Sequence, residues 1–274
     1  MNEHRFSFSL ESLIIPDTVT TLGKYVFMGC SSLISVTIPD CVTSIGESPF
    51  YNCMNLTNLA VSENNENYSV SDDGKILYNK DKTKLISCCS AVTGDITIPD
   101  SVTTIDMYAF NGCLNLTSVI IPDSVTTIGS CAIVNCPNLA NITIGKGLSS
   151  IGSQAFAYNT KAVFNIDENN ANYSSSTDGK MLLSKDQTTL LAYPSAEGDI
   201  TIPESVTKIE IFVFSGYSSR LTSVTFAGTG TWYYTENSDY TDGTEIDVTN
   251  PVMNATYLAD WDTYEYYNKY WYKQ

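Results

Sequence analysis

The sequence predicts an α/β solenoid built from 23-residue repeats. Three observations predict this fold class. An aliphatic residue recurs before a proline–acidic pair at nearly constant spacing, apolar residues recur at fixed offsets inside each unit, and two units carry similar insertions. We therefore expect a parallel concave β-sheet, short helical or 3₁₀ turns on the convex side, and two inserted β-hairpins.

The repeat is marked by the residue that precedes each proline–acidic pair or its replacement. Successive markers lie 23, 23, 37, 23, 23, 22, 36 and 24 residues apart, so the steps are one period, or one period plus about fourteen residues. A unit this short cannot bury its apolar face alone, and each unit is predicted to form one coil of a right-handed spiral. The markers are Ile15, Ile38, Val61, Ile98, Ile121, Ile144, Ile166, Ile202 and Phe226.

A short strand is predicted at the start of each coil. Val119 and Ile121 are two residues apart, which suits a strand with both side chains inward and Ile120 outward. Pro122 and Asp123 then turn the chain, because proline fixes φ and removes a ladder donor. Nine such strands at a spacing of about 4.8 Å would make one continuous sheet about 38 Å long.

The rest of the coil is predicted from the alanine–phenylalanine pairs and from the insertions. Ala109–Phe110 and Ala155–Phe156 are expected on a short helical or 3₁₀ turn on the opposite wall. The insertions contain Asp73–Gly74 and Asp178–Gly179 between apolar stretches, a pattern typical of hairpin turns. We expect these hairpins to project from the spiral.

Charge and hydropathy restrict the classes of partner. Lys and Arg total 14 against 30 Asp and Glu, so the net charge of −16 gives a broadly negative potential, and no nucleic acid is expected as a partner. No run of 18 apolar residues occurs, so no membrane insertion is expected within this chain. The first residues do not resemble a secretory signal.

The unit resembles the BspA-like leucine-rich repeat, with the pattern Leu-x-x-Val-x-Ile-Pro-x-x-Val-x-x-Ile-x-x-x-Ala-Phe-x-x-Cys. Residues 33–53 and 116–136 follow it, and the similarity extends over roughly residues 7–230. The resemblance implies a leucine-rich-repeat solenoid from a bacterial or protozoan surface protein that adheres to host or neighbouring-cell proteins. An extracellular or cell-surface location is therefore expected, although no signal peptide is visible in this chain.

Two regions are predicted, a leucine-rich-repeat solenoid over residues 1–230 and an aromatic-rich C-terminal cap over residues 231–274. Residues from Trp232 onward leave the repeat, and this stretch contains all three tryptophans. A solenoid needs a cap over its final open coil. The alternative is that the aromatic stretch is a platform that binds a sugar or a protein.

The cysteines are predicted to be free, buried thiols rather than disulfides or metal ligands. Parallel inward side chains on neighbouring coils hold their Cβ atoms about 5 Å apart, whereas a bridge needs about 3.8 Å. Cys88 and Cys89 are adjacent and point to opposite faces of a predicted strand. The cysteines at one shared repeat position are Cys30, Cys53, Cys113 and Cys136.

No enzymatic activity is predicted. His4 is the only histidine and lies in a predicted loose end, so a histidine base cannot be placed beside a nucleophile inside the spiral. We expect no catalytic residue, no cofactor and no metal site.

An acidic rim is predicted along one edge of the sheet, where an Asp or Glu follows most markers. Like charges one strand apart repel, so each carboxylate is expected to bind a turn amide; the alternative is a basic partner or a weak calcium site. The series is interrupted by Lys146. Its members are Asp17, Asp40, Glu63, Asp100, Asp123, Glu168 and Glu204.

The leading functional hypothesis is a protein–protein interaction or adhesion module that uses the concave strand face. The alternative is a carbohydrate-binding protein that uses the aromatic C-terminal segment. The partner is expected to be a protein, such as a host or neighbouring-cell surface protein, with carbohydrate as the other option. The candidate face consists of Ile14, Thr37, Thr97, Ile120, Thr143, Thr201 and Thr225.

Overall fold

A computed structural model describes residues 11–214, 220–259 and 269–274. The chain forms a solenoid of about nine coils, as the repeat predicts. Each regular coil passes through three walls: a long-strand wall, a short-strand wall and a wall of turns, which we call the turn wall. His4 and, within the predicted cap, residues 260–268 lie outside the described residues.

The long-strand wall begins each coil with one parallel strand. The expected continuous nine-stranded sheet is wrong, because these strands form separate sheets of three, four and two strands. The four-stranded sheet is called the central sheet below. In coil order the strands are β1 (Ser12–Ile14), β3 (Ser35–Ile38) and β5 (Asn58–Val61), then β9 (Thr93–Thr97), β11 (Asn115–Ile121), β13 (Asn141–Ile144) and β15 (Val163–Ile166), then β19 (Gly198–Ile202) and β21 (Leu221–Phe226).

The short-strand wall is made of two-residue strands that also pair in parallel with their neighbours. Each carries one inward aliphatic residue, such as Ile105 and Ile128, neither of which is exposed. These strands are β2 (Thr21–Leu22), β4 (Ser44–Ile45), β10 (Thr104–Ile105), β12 (Thr127–Ile128), β14 (Ser150–Ile151) and β20 (Lys208–Ile209).

The turn wall is where short helical or 3₁₀ turns were expected, and it consists of tight turns whose backbone amides bond to the next coil. Phe110 N donates to Ala132 O at 2.7 Å, and Ile133 N donates to Ala155 O at 2.8 Å. An inter-coil ladder thus satisfies donors that a helix would satisfy internally. The turn segments are residues 24–30, 47–53, 106–113, 129–136, 152–159 and 210–214, in coils 1, 2, 4, 5, 6 and 8.

The inward positions agree with the repeat. Val119, Ile121 and Ile128 are at most 1% exposed, whereas Ile120 is 40% exposed. Ala132, Ile133 and Cys136 in the same unit are fully buried. The predicted register of the regular coils is therefore confirmed.

The inserts fill coils 3 and 7. The first insert contains β6 (Tyr68–Val70), β7 (Ile76–Asn79) and β8 (Lys84–Cys88); the second contains β16 (Tyr173–Ser175), β17 (Leu182–Ser184) and β18 (Thr189–Ala192). Both are antiparallel hairpins, as predicted. However, β8 pairs in parallel with β10, and β18 with β20, so each insert continues the short-strand wall instead of projecting from the spiral.

Each insert also divides the core. Ile76 and Tyr78 pack in one hydrophobic cluster, whereas Leu77, between them, packs in another. In the second insert, Leu182 packs in the same cluster as Ile76 and Tyr78, whereas Leu183 packs in a third cluster. The core therefore consists of a first cluster, a central cluster and a last cluster, with an insert as the partition between neighbours.

A buried asparagine begins each insert, and the sequence analysis did not identify it. Asn65 Nδ2 donates to the carbonyls of Pro39 and Val42, while Asn65 Oδ1 accepts from the amide of Tyr68 at 2.8 Å. Asn170 bonds in the same manner in the second insert. One side chain thus satisfies several backbone groups where the chain leaves the regular coil. The shared Asn-x-x-Tyr spacing was the available signal.

The C-terminal residues pack on the last coils through β22 (Trp232–Thr235), β23 (Thr244–Ile246), α1 (Pro251–Ala259) and β24 (Tyr270–Lys273). Strand β24 pairs antiparallel with β20, and α1 lies against β21. Helix α1 was not predicted. Asn250 Oδ1 accepts from the amides of Val252 and Met253, and Pro251 occupies the first helical position, so Asn–Pro was its sequence signal.

Candidate functional site

The candidate face is best developed on the central sheet. Thr97, Ile120 and Thr143 are partners in successive strands, which places them in one file across the sheet. Asn165 extends the file on β15 and was missed, because Asn does not resemble the Thr or Ile found at the other positions. The structure thus brings together three of the predicted residues and adds a fourth.

The two smaller sheets carry separate parts of the face. Ile14 pairs with Thr37, which pairs with Ala60, and Thr201 pairs with Thr225. Ala60 was also missed. Because the long-strand wall is split into three sheets, the seven predicted residues lie in three files and not in one.

The face is uncharged along its centre and acidic along one side. Ile14 is 89% exposed and Ile120 is 40% exposed, so large apolar side chains are available to a partner. Asp95, two residues before Thr97, accepts a hydrogen bond from Thr117 Oγ1 at 2.8 Å. Its counterpart Asp199 is bonded by hydroxyls of the next coil, which lower the pKa of its carboxyl.

The acidic rim lies beside this face, and all seven of its residues are exposed. Asp123 Oδ1 accepts from the amide of Lys146 at 3.0 Å, and its other oxygen lies 3.2 Å from Lys146 Nζ; these bonds lower the pKa of Asp123. Asp40 accepts from Asn64 Nδ2 at 3.4 Å. Both donors lie in the following coil; the donor to Asp123 is a turn amide, and the donor to Asp40 is a side-chain amide.

The calcium alternative finds no ligand set in the described part of the chain. Within residues 11–214, 220–259 and 269–274, no group of three or more His, Cys, Asp or Glu residues is placed to hold a metal ion. Lys146 also enters the rim and neutralises part of it. The basic-partner alternative is not tested by these contacts and stays a prediction.

The eight cysteines are free, as predicted. Burial raises the pKa of the Cys53 and Cys89 thiols to about 12, so both stay protonated near neutral pH. Cys30 was expected to be buried and is half-buried, as are two cysteines outside the shared position, Cys41 and Cys131. The buried thiols are those of Cys53, Cys88, Cys89, Cys113 and Cys136.

Two tail tryptophans are used for packing. Phe226 lies against Trp232 with ring centroids 4.6 Å apart and is stacked on Trp271 at 6.1 Å. Trp232 and Trp271 are 3% and 1% exposed, so neither offers a ring face to a ligand. Trp261, the remaining tryptophan, lies outside the described residues. The aromatic-platform alternative is therefore wrong for these two tryptophans.

Comparison with known proteins identifies the repeat. A family model described as the BspA type leucine-rich repeat region matches residues 2–72, 82–177 and 193–245, in six copies. No curated protein sequence matches the chain. Among the described residues, no helix is long and apolar enough to cross a bilayer.

Two solved bacterial structures resemble this one. A leucine-rich repeat protein from Eubacterium ventriosum is 28% identical, with a TM-score of 0.55 over 77% of this chain and 53% of that chain. A leucine-rich cell surface protein from Faecalibacterium prausnitzii is 27% identical, with a TM-score of 0.57 over 78% of this chain and 53% of that chain. This chain thus spans about half the length of either relative.

Proposed function

The chain belongs to the BspA-type leucine-rich repeat family, and we propose that it is a non-catalytic interaction module that binds a protein partner at the bacterial surface. The location is supported by the Faecalibacterium relative, which is described as a cell surface protein. The non-catalytic role is supported by the family, whose members are repeat proteins. The partner is a surface protein of a host or of a neighbouring cell.

One observation carries the choice of surface: Thr97, Ile120 and Thr143 form an uncharged file across the central sheet. The centres of protein interfaces are depleted of charged residues, because burying an unpaired charge is costly. Hydroxyl groups on this file can bond to a partner, while Ile120 supplies apolar contact area. Rigid strands also reduce the entropy lost on binding.

The acidic rim adds a second requirement on the partner. Asp100 and Asp123 border this file, and the chain carries a net charge of −16. A partner with basic residues around an uncharged centre therefore fits the surface. Charge complementarity of this kind accelerates association and weakens as salt is added.

Binding to purified matrix and cell-surface proteins, measured by surface plasmon resonance, tests the proposal. Ile120→Lys places a charge at the centre of the file, and we expect at least a tenfold loss of affinity for any protein that binds. Thr126→Lys is the matched control, because Thr126 is exposed in the same coil as Ile120 but lies next to β12, away from the central sheet. Association by the parent should slow between 50 and 500 mM salt. Equal binding by both variants would remove the central sheet from the binding surface.

A further inference from the structure

The turn wall carries a shallow groove that none of the functional predictions used. Two positions have a left-handed backbone in each turn segment of coils 1, 2, 4, 5 and 6. At the first, φ is 55° at Tyr108, 51° at Cys131 and 56° at Gln154; at the second, it is 58° at Asn135 and 60° at Tyr158. Side chains at the first position therefore form a file across coils 4 to 6, and Asn135 and Tyr158 form a second file beside it across coils 5 and 6.

Left-handed backbone is unfavourable for residues such as Tyr and Gln, which have a Cβ atom. The same second position holds Gly29 in coil 1 and Gly112 in coil 4, with φ of 72° and 70°. Glycine is thus compatible with this wall, so the fold does not require a large side chain there. Tyr158 in coil 6 and Asn135 in coil 5 are not explained by backbone geometry.

The groove has a volume of about 310 Å³. Tyr51 and Tyr108 form one end, with ring centroids 4.4 Å apart, and Tyr158 contributes a ring at the other. Asn111 and Asn135 also line the groove, and every one of these five side chains is partly exposed. The groove therefore offers aromatic surface and amide groups side by side.

Contacts within the wall fix several of these groups. Asn111 Oδ1 accepts from the amide of Asn52 at 3.3 Å, which ties coil 4 to coil 2. Gln154 Oε1 accepts from the Cys131 thiol at 3.7 Å. A site whose polar groups are held before binding loses less entropy when a ligand arrives.

We propose that this groove is a binding site for a neutral carbohydrate. Sugar rings present C–H faces that pack on aromatic rings, and hydroxyl groups that pair with amide donors and acceptors. None of the residues that line the groove is Asp, Glu, Lys or Arg, although 16% of the chain is charged. A phosphate, a sulfate or a basic peptide would find no counter-charge, whereas an uncharged sugar requires none.

This site is independent of the proposed protein-binding surface. The file of Thr97, Ile120 and Thr143 lies on the long-strand wall, and the groove lies on the turn wall of the same coils. A carbohydrate and a protein partner could therefore occupy the module together. The carbohydrate site also differs from the tail alternative, because Trp232 and Trp271 are buried.

Isothermal titration calorimetry of the intact chain tests the proposal, with maltoheptaose, mannotriose and N-acetyllactosamine as neutral probes. Sialyllactose serves as the charged comparison. We expect saturable binding of at least one neutral probe and no binding of sialyllactose, because the negative chain repels it. Absence of binding by all three neutral probes would overturn the proposal.

Glycine variants locate the site without straining the backbone. Tyr158→Gly and Asn135→Gly each create the residue already present at Gly112, and each should weaken binding at least tenfold with a normal circular dichroism spectrum. Gln187→Gly is the matched control, since Gln187 also has a positive φ, 61°, and lies in the second insert. Unchanged affinity in both groove variants would place the carbohydrate elsewhere and refute the assignment.

Cys131 gives a readout that does not rely on substitutions. Its half-buried thiol lines the groove, so a bound sugar should slow its alkylation by iodoacetamide, measured by peptide mass spectrometry. Cys41, half-buried at the other end of the chain, is the internal control. Equal rates at Cys131 with and without a saturating neutral sugar would contradict occupation of the groove.

Discussion

The two inserts follow one plan in their strands, but the turn wall passes over them differently. Over the first insert, the Tyr51 and Tyr108 rings meet, and Ser48 Oγ donates to the carbonyl of Met107 at 3.0 Å. Over the second insert, a cavity of about 250 Å³ remains, with Phe156 and Phe212 among its lining residues. Coils 2 and 4 are thus joined across their insert, whereas coils 6 and 8 border a cavity.

One repeat position accounts for the ring contact that is present over the first insert and missing over the second. Tyr51 in coil 2 corresponds to Ala157 in coil 6, and Ala157 lines the cavity. The backbone contacts below are equivalent, since Cys88 N donates to Ala109 O and Tyr193 N donates to Val213 O. An insert therefore determines which coils face each other, and the turn side chains determine whether the space between them is filled.

The largest expected effect comes from removing residues 231–274. We propose that these residues cap the last coils, next to the second insert. Trp232, Leu258 and Trp271 belong to the last core cluster, and Tyr270 lines the cavity. The truncated chain should aggregate and lose hydrogen-exchange protection over residues 198–226. Residues 93–144 should stay protected, because repeat proteins couple mainly between neighbours. A monomeric product with full protection would contradict the cap.

A smaller effect is expected from exchanging the side chains at the compared position. Tyr51→Ala removes the ring contact over the first insert and should lower the free energy of unfolding by about 1–3 kcal/mol. Ala157→Leu adds methylene groups beside an existing cavity and should change it by less than about 1 kcal/mol, or raise it. Urea unfolding measures both. Destabilisation by Ala157→Leu as large as that by Tyr51→Ala would show that the cavity cannot accept a side chain.

The smallest expected effect is alkaline destabilisation of the first core cluster. Cys53 and Cys89 lie in this cluster, whereas the last cluster contains no cysteine among its described members. Burial raises the pKa of both thiols to about 12 in the folded chain, against about 8.5 when unfolded. The resulting stability is complete below the unfolded pKa and is lost as pH rises towards the folded pKa.

At pH 9 this loss amounts to about 0.8 kcal/mol per thiol. Urea unfolding between pH 7 and 9.5 should show the decline, and Cys53→Ala with Cys89→Ala should reduce its slope. Reductant should leave the melting temperature unchanged at pH 7, because the cysteines are free. A slope unaffected by the double substitution would mean that other groups cause the decline.

The regular coils were predictable because one period fixes every inward position. Val119 and Ile121 are inward on β11 for the same reason that Val36 and Ile38 are inward on β3. The position of the inserts was less predictable. Asp73–Gly74 indicates a hairpin but not the side on which it lies. The consecutive apolar residues of β7 were the better signal, since a strand apolar on both faces is buried on both faces.

The candidate site was predictable in register but not in extent. Thr97, Ile120 and Thr143 follow from the repeat, yet the breaks in the long-strand wall depend on hydrogen bonds such as that from Leu59 N to Gly74 O. The groove on the turn wall could not be predicted, because it joins coils 2 and 4, which are not neighbours in the sequence. Such a site forms because coil 3, which holds the first insert, contributes no turn segment, so the turn segments of coils 2 and 4 meet.

The partitioned core has a consequence for how such a protein can lengthen. Asn65, Ser71 and Leu85 of the first insert recur in the second as Asn170, Ser176 and Leu190, all separated by the same interval. A gene duplication between matching points of the two inserts would add one complete core cluster, bounded by surfaces that already fit. Growth by whole modules would preserve every buried contact, whereas adding a single coil would move one insert relative to the other.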